Sequence, residues 1–131
     1  MSTSLKIKEE IEELLITLTW DIDPDPIYRE IESKTVELGE EGKIFLIEKI
    51  KNDKKNRLSV LTLLGNLKIT ESIDELKAIF IAKENIDDNL ESAISLVKIN
   101  NEFGYEELYR LFTESNILPV DWIDDIAEKL G

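Results

Sequence analysis

The sequence predicts an all-α fold built from antiparallel pairs of helices. Glycine and proline are scarce, at 5 and 3 of 131 residues. Apolar residues recur at steps of three and four along the whole chain, and the alternation typical of strands is nearly absent. A chain of this length buries enough surface to form one stable domain without disulfides or metals, so we expect a single domain of eight helices.

The first half of the chain predicts four helices. Helix one ends near Trp20, and helix two begins with Asp25 as N-cap and Pro26 as its first helical residue. Helix two stops at Gly39, helix three continues to the polar turn at 52–53, and helix four is its antiparallel partner. The predicted buried residues of the four helices are, in order, Ile7, Ile11, Leu14, Leu15 and Leu18; Ile27, Ile31 and Leu38; Leu46, Ile47 and Ile50; and Leu58, Leu61, Leu64 and Leu67.

The second half predicts four more helices. Helix five begins either with Thr70 as cap or with Ser72 and Glu75 as a capping box, and Asn85 marks the turn before helix six. Helix eight ends at Gly131. The predicted buried residues of the four helices are Ile73, Leu76, Ile79 and Phe80; Leu90, Ala93, Ile94 and Val97; Tyr105, Leu108, Leu111 and Phe112; and Trp122, Ile123, Ile126 and Leu130.

A repeat relates the later helices, because apolar residues recur at a spacing of 32. The related residues are Leu58, Leu64, Leu67, Leu76 and Phe80, which recur as Leu90, Leu96, Ile99, Leu108 and Phe112. We therefore expect about four helical hairpins, with approximate bounds 4–38, 39–69, 70–100 and 101–131.

The segment from Arg57 to Leu67 reads Arg-Leu-Ser-Val-Leu-Thr-Leu-Leu-Gly-Asn-Leu, and a short turn and a helix follow it. It resembles the HEAT-like, armadillo-type helical repeats, in which a basic residue opens the second helix and a Leu-Gly pair closes it. The resemblance covers about residues 38–112. It implies a right-handed α-α superhelix whose second helices line a concave recognition surface, and a binding scaffold rather than a catalyst. At the ends, Asn89 replaces Arg57 and Val97 replaces Gly65, as is typical of capping repeats.

Composition excludes most catalytic designs. The chain has no Cys and no His, which removes thiolate nucleophiles, the commonest general base and the commonest metal ligands. We predict that the protein is not an enzyme and needs no cofactor or metal. The N-terminal residues lack the apolar core of a secretory signal, and the longest apolar stretch, Ala78–Ala82, is far shorter than a membrane span. A cytoplasmic protein is expected.

Charge indicates the kind of partner. The 29 acidic and 16 basic side chains give a net charge of −13. Residues 1–65 hold 14 acidic and 10 basic side chains, whereas residues 66–131 hold 15 and 6. Such a surface repels nucleic acid and anionic membranes and attracts basic proteins. The excess in the second half predicts that recognition occurs there.

Two acidic clusters are the candidate partner-binding residues. One lies on helix eight around Trp122, which fits either an aromatic anchor for a basic partner or a core residue. The other opens helix six, where negative charge also offsets the helix dipole. Both clusters are expected at one end of the helical stack, so that they form one surface. The residues are Asp87, Asp88, Glu91, Asp121, Trp122, Asp124 and Asp125.

Two other motifs have simpler interpretations. Asp21, Asp23, Asp25 and Glu32 match the ligand spacing of an EF-hand calcium loop, but Pro26 stands where that loop needs Gly. A proline-stiffened turn is the preferred interpretation. Residues 43–57 hold six basic side chains against two acidic ones, which suggests a phosphate site or, preferably, a solvated turn paired with acidic neighbours.

The sequence therefore predicts a non-catalytic, acidic protein-binding module. We expect a bacterial immunity protein or inhibitor that neutralises a basic, nuclease-like toxin, with fast and salt-sensitive association. The alternative is a constitutive adaptor or assembly-factor scaffold, in which acidity confers solubility and binding depends weakly on salt.

Overall fold

A computed structural model describes residues 2–18, 23–82 and 84–114, with side chains up to Arg110. Within those ranges the chain forms α-helices and one 3-10 turn, and no strand, which confirms the predicted all-α class. The helices are α1 (Ser2–Thr17), α2 (Asp25–Leu38), α3 (Glu40–Asn52), α4 (Arg57–Asn66), α5 (Ile73–Ala82), α6 (Ile86–Lys98) and α7 (Glu102–Glu114), and the 3-10 turn is Thr70–Ser72. The chain forms two compact units, Met1–Leu63 and Leu64–Gly131.

In the first unit, α1 packs on α2 and α2 packs on α3. The apolar face of α1 repeats every fourth residue, which places its buried side chains on one stripe. The buried apolar residues are Ile7, Ile11, Leu15, Ile31, Leu46, Ile50, Val60, Leu61 and Leu63. Three lysines tie helices together at the rim of this core: Lys8 pairs with Glu41 at 3.1 Å, Lys34 with Glu10 at 3.3 Å, and Lys49 with Glu12.

In the second unit, α6 is the central helix, with α5 and α7 packed against it. Its core joins all three helices through Phe80, Leu90, Ala93, Val97 and Leu108. Two polar residues of α6, Ser92 and Ser95, are fully buried as well. The amphipathic pattern did not predict them, because a central helix is buried on more than one side.

Small residues set the closest helix contacts of the second unit. A Cβ atom on Gly65 would lie 2.6 Å from Oγ of Ser95, and one on Gly104 would lie 2.6 Å from Cβ of Leu96. The C-terminal end of α4 and the first turn of α7 therefore approach α6 at distances that a larger residue would prevent. Gly65 belongs to the Leu-Gly pair of the predicted repeat motif, so the motif residue has a packing role.

The repeat of 32 residues is visible in the backbone of the second unit. Lys68 after α4 and Asn100 after α6 both have positive φ, at 52° and 66°. Each closes its helix with the paired hydrogen bonds of a Schellman motif. The amide donors and carbonyl acceptors are Lys68 to Gly65, Ile69 to Leu64, Asn100 to Val97 and Asn101 to Leu96, at 3.1, 3.1, 2.8 and 2.7 Å. The same helix end thus recurs at the predicted spacing.

Two local predictions were wrong. Pro24, rather than Asp25, precedes the first helical residue of α2, and the carboxylate of Asp23 accepts the amide of Asp25 at 3.1 Å. This hydrogen bond spans two residues in the turn before α2, and the N-cap residue itself makes no side-chain capping hydrogen bond. Leu58 is 41% exposed rather than buried. The buried apolar residues of α4 are instead at positions 60, 61, 63 and 64. They lie on adjacent faces of the helix, whereas Leu58 in its first turn is exposed.

Candidate functional site

The acidic start of α6 is organised by one capping residue. Asn85 is the N-cap, and its Oδ1 accepts the backbone amides of Asp87 at 2.8 Å and Asp88 at 3.2 Å. Asp87 is exposed, whereas Asp88 and Glu91 are half-buried. No described residue forms an ion pair with Asp87. The cap and the negative charges both stabilise this helix end, and the exposed carboxylate is available to a cationic partner.

Exposed apolar side chains flank this acidic turn. Ile81, near the end of α5, is 64% exposed, and Ile86, the first residue of α6, is 52% exposed. Apolar residues surrounded by charge are typical of protein interfaces, where the apolar part supplies burial and the charged rim supplies orientation. Neither isoleucine was among the predicted buried residues, and the sequence analysis did not assign them to a binding surface either, because periodicity identifies only the buried face of a helix.

The second predicted cluster, Asp121, Trp122, Asp124 and Asp125, lies outside the described residues, as does helix eight. The joint acidic surface of helices six and eight, and the alternative that Trp122 is a core residue, both remain predictions. Of the predicted set, the structure places Asp87, Asp88 and Glu91 within two turns of α6.

A cleft of about 420 Å³ lies between α5 and α7. Lys77 of α5 and Asn101, Glu102, Phe103 and Glu106 of α7 and its preceding turn line it. Nζ of Lys77 lies 5.5 Å from the ring centroid of Phe103, and both carboxylates are exposed. Sequence reasoning missed this cleft. The signal was present only as two glutamates four residues apart beside an aromatic residue, and nothing in the sequence pairs them with Lys77.

The ring of Phe103 is positioned by a contact with Phe80 of α5. It packs edge-to-face against Phe80, with ring centroids 5.7 Å apart and planes at 89°. Oδ1 of Asn101 accepts the amide of Phe103 at 3.0 Å, which fixes the first turn of α7. Phe103 therefore forms a well-positioned aromatic wall of the cleft. The face of an aromatic ring attracts cations.

A second aromatic cleft, of about 380 Å³, lies in the first unit beside Phe45. Nζ of Lys8 and Nζ of Lys49 lie 5.9 and 5.8 Å from the centroid of that ring. Both lysines are held by carboxylates: Lys8 by Glu41, and Lys49 by Glu12 and Asp53. The cation positions on this ring are therefore occupied by the protein's own ion pairs.

The ion pairs around Lys49 shift its protonation equilibrium. Burial disfavours the ammonium, but the hydrogen bonds and charges of Glu12 and Asp53 outweigh that cost, so the pKa of Lys49 is raised. The side-chain amide of Asn56 donates a hydrogen bond to Oδ2 of Asp53 at 2.8 Å. This bond and the contact with Lys49 stabilise the carboxylate and lower the pKa of Asp53 despite partial burial. Both groups are fully charged near neutral pH.

The basic segment 43–57 pairs with the protein's own groups. Lys43 contacts Glu40 at 3.1 Å, and Nε of Arg57 donates to the carbonyl of Ile50 at 2.7 Å. Arg57, the basic residue of the repeat motif, thus joins the start of α4 to the end of α3. The calcium-like motif has its later positions, Asp25 to Glu32, inside α2, so these residues do not form an ion-binding loop.

Comparison with protein-family models, curated proteins and solved structures gives no match. The resemblance to HEAT-like repeats therefore remains a prediction from the sequence. Within the described residues, no helix has both the length and the apolar character needed to cross a membrane.

Proposed function

We propose that the protein is a non-catalytic, acidic binding module, and that it acts as an immunity protein or inhibitor that neutralises a basic, nuclease-like toxin in the bacterial cytoplasm. The observation that carries this proposal is the acidic excess after residue 65, with 15 acidic against 6 basic side chains. Carboxylates on three helices of the second unit are exposed and form no ion pair with a described residue. These residues are Asp74, Asp87, Glu102 and Glu106.

The distribution of ion pairs supports this assignment. In the first unit, Lys8, Lys34 and Lys49 each bridge two helices through a carboxylate, so part of its acidic charge is used internally. In the second unit, Arg110 and Glu107 form an ion pair within α7, which joins no second helix. Unpaired exposed charge steers an oppositely charged partner and increases the association rate.

The same proposal includes a HEAT-like superhelix. Its support is the recurrence of the Schellman helix end at Lys68 and Asn100 and the side-by-side contact of Gly65 with Ser95. Successive hairpins that stack in register bring equivalent helices together in this way. A stack of this kind offers an extended surface to a protein partner.

Affinity purification of the tagged protein from its native cells, at low and at high salt, tests the proposal. We expect one basic protein to be recovered at low salt and lost at high salt, since exposed charges are screened beyond about 10 Å in 0.1 M salt. When that protein is expressed alone, it should arrest growth, and co-expression of this chain should restore it. A partner that is not toxic, with recovery independent of salt, would establish the adaptor alternative and contradict the inhibitor.

Two matched variants locate the surface. The first neutralises the four exposed carboxylates of the second unit, as Asp74→Asn, Asp87→Asn, Glu102→Gln and Glu106→Gln. The second removes the same charge from exposed residues of the first unit, as Glu9→Gln, Glu13→Gln, Asp25→Asn and Glu37→Gln. Only the first variant should lose its affinity for the partner. Equal losses from both variants would show that total charge, rather than this surface, determines binding.

A further inference from the structure

We propose that the cleft between α5 and α7 binds an arginine side chain of the basic partner, with the guanidinium stacked on Phe103 and hydrogen-bonded to Glu106 or Glu102. This inference rests on the proposed function and specifies its chemistry. Hereafter the cleft lined by Lys77, Asn101, Glu102, Phe103 and Glu106 is called the Phe103 cleft.

Its shape and charge suit a planar cation. The two glutamates are four residues apart on α7, which places them on one helix face one turn apart, and both are exposed. Phe103 lies next to Glu102 and supplies an aromatic wall of the cleft. A guanidinium stacks on aromatic faces and donates two parallel hydrogen bonds to a carboxylate, whereas an ammonium has neither property.

A resident cation already uses the aromatic face. Nζ of Lys77 lies 5.5 Å from the ring centroid, within the range of a cation–π contact. No described residue forms an ion pair with Lys77, so its displacement breaks no ion pair within the part of the chain that the structure describes. An incoming arginine exchanges one cation–π contact for another and adds the carboxylate hydrogen bonds, which favours the exchange.

In the cleft beside Phe45, the protein's own lysines occupy the aromatic face. Lys8 and Lys49 both lie over that ring, and each is fixed by an ion pair to a carboxylate on another helix. Displacing either would break an interhelical ion pair. The cleft beside Phe45 is therefore an internal control. It has the same kinds of groups, but the lysines over its ring are held in ion pairs.

Neighbouring exposed residues extend the site. Ile81 lies one turn after Lys77 on α5 and is 64% exposed, and Tyr109 lies one turn after Glu106 on α7 and is 62% exposed. Apolar side chains on both sides of an arginine site cover the methylene groups of the arginine and of its neighbours. The surface thus fits a basic segment that also carries apolar residues.

The test uses the full chain and two blocked hexapeptides, hexa-arginine and hexa-lysine, which carry the same charge. Affinity is measured by calorimetry and location by amide chemical shifts. We expect the arginine peptide to bind about threefold to tenfold more tightly, with the largest shifts at Lys77 and residues 101–106. Equal affinities, or shifts spread evenly over all acidic helices, would overturn the inference.

Three variants of the cleft and one control variant sharpen the result. Glu106→Gln, at an exposed position, should remove most of the arginine preference, and Phe103→Leu should remove the rest, provided that circular dichroism shows an unchanged fold. Lys77→Met should tighten arginine binding about threefold, because it uncovers the ring. Phe45→Leu should change none of these values. Tighter lysine than arginine binding in Lys77→Met would contradict a guanidinium site.

The native partner separates the two proposals. If hexa-arginine binds the Phe103 cleft but no basic partner exists, the cleft assignment stands and the proposed function fails. If a basic partner binds the chain and Glu106→Gln leaves that affinity unchanged, the proposed function stands and the cleft assignment fails.

Discussion

Nζ of Lys98 donates a hydrogen bond to Oδ1 of Asn66 at 2.8 Å, and the two residues are 32 positions apart. The same spacing separates the buried residues Leu64 and Leu96. Equivalent positions of α4 and α6 therefore lie side by side. This contact was not visible in the sequence, because Asn66 and Lys98 differ in chemistry.

Gly65→Ala tests the closeness of this contact. On helix propensity alone, the substitution would stabilise α4 by about 1 kcal/mol. The added Cβ, however, would lie 2.6 Å from Oγ and 2.8 Å from Cα of Ser95. We expect a net loss of about 1–3 kcal/mol in the free energy of unfolding, measured by urea denaturation. An increase in stability would show that α4 and α6 are farther apart.

Lys68→Gly tests the left-handed helix end. Lys68 has φ of 52°, which costs a residue with a side chain about 1 kcal/mol. Glycine should raise the free energy of unfolding by roughly 0.5–1 kcal/mol. Asn100→Gly is the comparison: asparagine tolerates this conformation, and its Oδ1 accepts the hydroxyl of Tyr105 at 3.2 Å, so the gain there should be smaller. A loss at Lys68 would contradict the assigned backbone conformation.

The helices were largely predictable because apolar spacing and helix-end residues are local signals. Gly39 and Asn85 marked true helix boundaries. The N-cap of α2 was assigned one residue too late, at Asp25 instead of Pro24, because Asp is a common capping residue and only the backbone shows where the helix begins. The burial of Ser92 and Ser95 depends on which neighbours surround α6, and that information is not local.

Asp53→Asn tests the ionic cluster around Lys49. The pKa of Asp53 is lowered in the folded state, so its carboxylate stabilises the fold above about pH 4, the unfolded pKa. This stabilisation is lost as pH falls through the folded pKa. The variant should therefore be less stable than the native protein at pH 7, and the difference should shrink in acid. Urea midpoints of the two proteins, measured from neutral pH into acid, give this difference, and a difference that does not shrink would contradict the assigned role of Asp53.

Asn85→Ala tests the order of the acidic turn. Loss of the Oδ1 acceptor leaves the amides of Asp87 and Asp88 without their cap, which should cost about 1 kcal/mol of stability. Asn85→Ser preserves an acceptor and should cost much less. Hydrogen exchange of these two amides gives a direct readout. Unchanged exchange rates in the alanine variant would mean that the cap does not hold this turn.

The sequence indicates the sign and the region of the candidate site but not its residues. Net charge and its excess in the second half predict a cationic partner, and both statements remain predictions. The Phe103 cleft depends on Lys77 and Phe103 meeting across two helices, and their separation of 26 positions carries no sequence signal. Trp122, the aromatic residue that the sequence favoured, lies outside the described residues.

The packing order of the second unit has a kinetic consequence. Because α5 packs on α6 and α6 on α7, most of its contacts join segments that are close in the chain, and little loop-closure entropy opposes them. Topologies of this kind fold in microseconds to milliseconds. On the ribosome, which adds about 5–20 residues per second, each helix would settle on its predecessor long before the next one emerged. A chain assembled in this order adds one helix at a time to a surface that its predecessor has already formed.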